Sequence, residues 1–286
     1  MGIELDSSEK SSYYNYYITI FKKKKKGMED FKRRKKREEE FELHSACRFG
    51  EADKVEQLLK SSLINVNVPG SFGLTPFYIA CFYNHSKVVK LLLNDERVAR
   101  NKEDEFGQTP FYIVCDEGHT EIVKLLLSDE NIDINRASVL DQTPFFIACY
   151  EGHIEIVKLL LNDKRIEINQ PNRDGITPFY LACEDEKINI VESILASGKE
   201  VNLNAKSKNG KTAMDIARKK EKQPEIDEDE WDGYLEPVKK GYLKRMQELY
   251  TKEGRSKIVE LIESFERNPN ETRSKLRIKL GFADLN

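Results

Sequence analysis

Apolar side chains along this chain fall into a recurring pair of blocks. In one instance Thr109-Pro110 is followed by the run Phe111-Tyr112-Ile113-Val114-Cys115, then Asp116-Glu117, Gly118-His119, and a second block, Ile122, Val123, Leu125, Leu126 and Leu127. A threonine hydroxyl can cap a helix, and a following proline at the first helical position forfeits no amide hydrogen bond, so the first block predicts a helix beginning there. Gly118 tolerates the left-handed backbone of a helix end, and the second block has the spacing of a second helix turning one face inward. Asn135 and the polar loop closed by Asp141 predict the turn into the next Thr143-Pro144. Helices of under three turns cannot bury their apolar faces alone, so neighbouring pairs must stack.

The unit is repeated. Cys47, Cys81, Cys115, Cys149 and Cys183 stand 34 residues apart and are the chain's only cysteines. Thr75-Pro76, Thr109-Pro110, Thr143-Pro144 and Thr177-Pro178 keep the same step, as do His85, His119 and His153, and Asn67, Asn101, Asn135 and Asn169. A fixed period of this length signals a repeat architecture, but 34 residues also suits tetratricopeptides, so the motif decides. Thr-Pro, an apolar run, a small core residue, two variable positions, Gly-His and a Val/Ile/Leu block resemble the ankyrin repeat family, with Phe or Tyr in the Leu and His places of its T-P-L-H-x-A opening. The resemblance covers residues 41 to about 220. It implies an all-α ankyrin-repeat solenoid of helix-turn-helix units joined by β-turn or hairpin fingers, with a helical C-terminal extension.

Repeats are read at 41–74, 75–108, 109–142, 143–176 and 177–211. The first has Phe41-Glu42 for Thr-Pro and several charged positions, which fits a capping repeat. The fifth has Glu186-Lys187 where Gly-His is expected, predicting a looser inter-helix turn. A sixth opens at Thr212-Ala213 and resumes at Gly254, so 212–268 reads as one split repeat carrying an insert. Pro269 predicts a break, followed by an amphipathic helix through Leu276, Ile278 and Leu280 that stops at Gly281. The domain reading is a basic leader at 1–40, flexible or helical; the array at 41–220; an acidic and aromatic insert at 221–253; and capping helices at 254–286.

Charge adds a partition. Residues 1–40 carry 12 basic and 8 acidic side chains, against 22 and 27 in 41–220. Lys22–Lys26 and Lys32–Arg37 suit nuclear import or an anionic surface, although Glu38, Glu39 and Glu40 can neutralise the second run at i,i+4 on a solvated helix. With no apolar run near the roughly 20 residues of a membrane helix, no span is expected. The N-terminal order of charge and apolar residues does not match a secretory signal, and Asp6 stands where a myristoylation motif needs Ser or Thr.

Candidate chemistry is sparse. Cysteines and histidines spread along a stack cannot converge on one metal ion, so buried reduced thiols and structural histidines are expected, with no cofactor. The acidic stretch Glu225–Asp232 fails as a calcium loop because the twelfth place holds Lys239. No nucleophile elbow, phosphate loop or dinucleotide fingerprint occurs, and no enzyme is expected. The resemblance implies partner contacts at the finger turns and the first-helix face. These positions hold Phe72, Phe106, Leu140, Arg173 and Asp174 on the fingers, and Phe82, Tyr83, Asp116, Glu117, Tyr150, Glu151, Glu184 and Asp185 after each cysteine, with Trp231 of the insert as a further anchor. Aromatics beside carboxylates suit a basic, partly apolar protein segment and disfavour nucleic acid on this face. The expectation is a monomeric, cytoplasmic or nuclear adaptor or scaffold without a small-molecule substrate. The rival classes are a nuclear regulator and an anionic-membrane tether, each acting through the leader.

Overall fold

The computed structural model describes residues 29, 31–218 and 252–281, and the chain divides into two compact units, Met1–Ala99 and Arg100–Asn286. The described residues are helices and turns, with no strand among them.

The first unit contains α1 (31–49), α2 (Ala52–Leu59), a 3₁₀ turn at Ser71–Gly73, α3 (Pro76–Phe82) and α4 (Ser86–Leu93). Helix α1 runs through the 40/41 boundary, because no Pro or Gly interrupts it and the pairs Lys35–Glu39 and Lys36–Glu40, each at 3.7 Å, support it at i,i+4. Those two glutamates also accept hydrogen bonds from Ser61 Oγ and the Asn65 amide, anchoring the helix from Glu39 onward. Leu43, Ala46 and Cys47 are buried, whereas residues 31–38 are exposed. Helices α2 and α3 both pack on α4.

The second unit pairs α5 (Pro110–Asp116) with α6 (Thr120–Leu127), α7 (Pro144–Glu151) with α8 (Ile154–Asn162), and α9 (Pro178–Glu184) with α10 (Ile188–Ala196). First helices stack on first helices through α11 (Ala213–Arg218), and second helices on second helices. Two more, α12 (Lys252–Arg267) and α13 (Pro269–Leu280), cover α10, while α11 packs against α12.

The expected helix starts are present. Thr75, Thr109, Thr143 and Thr177 accept the amide of the residue three places on, at 3.1–3.2 Å, each with Pro at the first position. The aromatic pair behind each cap fills the core, as with Phe111 and Tyr112 at 1% exposure. All five cysteines are buried, and burial pushes the Cys47 thiol up to about 12.

Within each unit, three polar ladders join one repeat to the next. His85 Nε2 donates to the Arg48 carbonyl, and His153 Nε2 to that of Asp116. Each of Asn67, Asn101, Asn135 and Asn169 donates through Nδ2 to a loop carbonyl about 30 residues on, while its Oδ1 accepts an amide there. Arg97 and Arg165 reach back to C-terminal carbonyls of the preceding second helix, including Leu59 and Leu127, satisfying groups that a helix end leaves unpaired.

The structure corrects two expectations. The fifth inter-helix turn is not looser: Glu186 adopts φ 54°, the conformation Gly118 and Gly152 take in the same register, and Lys187 Nζ donates to the Tyr150 carbonyl in place of the histidine. Arg255 Nε holds Glu186 at 2.6 Å. The sixth repeat's second helix, expected to resume at Gly254, runs from Lys252, with Gly254 buried inside α12. Helix α13 buries Thr272 and Leu276 but leaves Ile278 80% exposed, since residues 276 and 278 lie about 200° apart around a helix and cannot share a face.

Candidate functional site

In the second unit the fingers are β-turns built by side-chain acceptors. Asp104 Oδ1 accepts the amides of Phe106 and Gln108, and Asn172 Oδ1 those of Asp174 and Ile176. Adjacent fingers are tied by backbone hydrogen bonds from Val139 to the Phe106 carbonyl, from Arg173 to Leu140 and from Lys208 to Asp174. With the backbone so occupied, the tip side chains turn to solvent: Phe106, Val139 and Leu140 are 55%, 46% and 51% exposed. Gly107 permits the close approach, since a Cβ there would meet the Val139 amide nitrogen at 3.0 Å. Asp141 takes φ 58° at the same place one repeat later.

From the fingers, α5 and α7 run to a cluster of carboxylates at their C-termini. Asp116 ends α5, Glu117 follows it, and Glu151 ends α7. The carbonyl end of a helix already carries partial negative charge, so these side chains deepen a negative potential rather than offset it. None of the three makes an ion pair among the described residues, and burial, then Glu151 and Glu117, push Asp116 up to about 6, against an opposing pull from His153. Tyr112 connects the two ends. Its hydroxyl donates to Gln142 Oε1 at the finger end, and Asp116 and Glu151 act on it electrostatically, adding to the burial that raises its pKa.

The other residues singled out from the sequence divide by environment. Tyr150 is exposed, but Lys187 Nζ lies 5.4 Å from its ring centre, and the same amine pairs with Asp185 at 2.7 Å, so the open carboxylates end before the fifth repeat. Glu184 is exposed on α9. On the fingers Arg173 pairs with Asp141 and Asp174 with Lys208, each at 3.6 Å between exposed groups. Trp231 lies outside the described residues, as do most of the insert and residues 1–28 of the leader.

The first unit has a different surface. Phe72 is exposed at its finger with φ 59°, a backbone state uncommon for an aromatic residue. Phe82 and Tyr83 meet edge to face at 5.0 Å, and the Arg48 guanidinium lies over the Tyr83 ring, so these aromatics stand beside a cation. Phe49 and Val139, both exposed, were not singled out from the sequence, although Phe49 holds the register of Tyr83 and Val139 that of Arg173.

Among the described residues no group of three His, Cys, Asp or Glu side chains could hold a metal ion, and no helix is long and apolar enough to cross a membrane. A family model described as ankyrin repeats (3 copies) matches residues 14–102, 96–172 and 145–226. No curated protein matches the chain significantly.

Proposed function

Because the chain belongs to the ankyrin repeat family, whose repeats are in general protein–protein interaction modules and typically non-enzymatic, we propose that it is an adaptor or scaffold. It takes a basic, partly apolar segment of another protein on the finger and first-helix face of the Arg100–Asn286 unit. The observation that carries this reading is the juxtaposition along α5 and α7 of exposed Phe106, Val139 and Leu140 at one end with the carboxylates of Asp116, Glu117 and Glu151, without an ion pair among the described residues, at the other. Large apolar tips supply desolvated contact area, and the carboxylates steer and register a cationic partner. The same negative charge repels phosphates, so nucleic acid is disfavoured on this face. The proposal extends to a cytoplasmic or nuclear location, to be checked by imaging the tagged chain.

The test is capture of partners from cell extract by the wild type and two variants, with circular dichroism as the folding control. Phe106→Ser with Leu140→Ser should weaken capture about tenfold or more while the melting temperature moves little, because the tips carry no packing. Asp116→Asn with Glu117→Gln and Glu151→Gln should slow association and flatten its salt dependence. Full recovery of partners by the folded finger variant contradicts the reading.

A further inference from the structure

Among the described residues of the second unit nothing covers Phe106, Val139 and Leu140, which stand exposed on fingers tied by backbone hydrogen bonds. We infer that this row and the adjoining carboxylates take residues 13–26 of a second copy of the chain, an inference that rests on the binding face proposed above.

Complementarity favours that occupant. Residues 13–21 contain Tyr13, Tyr14, Tyr16, Tyr17, Ile18, Ile20 and Phe21, and they are followed directly by the five lysines Lys22–Lys26. The face has the matching halves in the same order, apolar tips and then Asp116, Glu117 and Glu151 about 10 Å further along α5 and α7. About three extended residues span that distance. Seating Ile20 and Phe21 on the tips therefore lays Lys22–Lys26 over the carboxylates. In the leader's other basic run, Lys35 and Lys36 pair with Glu39 and Glu40 within α1.

Within α1 the contacts to the rest of its unit begin at Glu39 and Glu40, and residues 31–38 are exposed. A closed reciprocal pair would satisfy both faces and leave no open end for further growth. This outcome departs from the monomer expected from the sequence, and the leader would compete with an outside partner for the same face.

Sedimentation equilibrium of the full chain at rising concentration and low salt tests the assignment. The wild type should self-associate, and either Phe106→Ser with Leu140→Ser, or Lys22–Lys26 all changed to Gln, should raise the dissociation constant about tenfold or more. Mixing the two variants should give a heterodimer held by one of the two reciprocal contacts, weaker than the wild-type pair but tighter than either variant alone, since one keeps the leader and the other the face; that recovery also shows that both are folded. A wild type that stays monomeric, or self-association indifferent to both variants, overturns the inference. So does a monomeric chain whose Lys22–Lys26 bind phosphatidylserine vesicles, which would give the leader to a membrane. If partner capture still depends on Phe106 and Leu140 while the wild type is monomeric, only this inference falls; if capture ignores them, the proposed function falls.

Discussion

Asp116 shows how a single side chain reports its surroundings. Its folded pKa is raised to about 6 by burial first and by Glu151 and Glu117 next, so the folded state holds a proton that the unfolded chain releases near the usual carboxylate value. Stability from this group is therefore full below about pH 4 and is lost as pH rises through about 6. Asp116→Asn should leave the melting temperature unchanged near pH 4 and stabilise the protein at pH 7.5 by about 1 kcal/mol after screening, which melts at the two pH values would read. The Glu186-Lys187 pair carries a second prediction. Lys187→His should be nearly neutral, because His85 and His153 make the corresponding bond to a carbonyl. Lys187→Ala should cost about 1 kcal/mol in chemical denaturation. At this scale the sequence marked Lys187 as a break in the pattern, but not that an amine on a long flexible stem could reach the carbonyl an imidazole reaches.

The helices were legible because their determinants are local. Thr-Pro starts, glycine ends and the 3.6-residue spacing of apolar positions act within a few residues, and the caps at Thr75, Thr109, Thr143 and Thr177 follow from them. The contacts between repeats were less legible. The asparagine period was visible, yet its double use of one amide, donating to one backbone group and accepting from another about 30 residues on, depends on how two loops meet in space. Asn135→Ala should remove both bonds and cost about 1–2 kcal/mol, while Asn135→Asp, which keeps only the acceptor, should lose less; urea titration separates them. Ile278 illustrates the opposite error, since apolar character alone suggested a buried face that its angular position on α13 excludes.

Over the whole chain, the repeat period made the ankyrin architecture readable but did not reveal the division at Ala99–Arg100 or the differing chemistry of the two units. Phe82 and Tyr83 occupy the same register as Asp116 and Glu117, yet the former stand beside Arg48 and the latter beside Glu151. The candidate face was partly legible for the same reason. Register pointed to Phe106, Leu140, Asp116 and Glu151, whereas the cover Lys187 gives Tyr150 and the extra area from Val139 emerge only on folding. The account's central claim is that the finger tips and acidic helix ends of the second unit form one protein-binding face. Hydrogen–deuterium exchange of the chain with and without its captured partner tests it most directly. Protection is predicted at residues 104–108 and 138–142 together with 116–117 and 150–151; an unchanged exchange pattern there, with protection confined to other segments, would contradict the account.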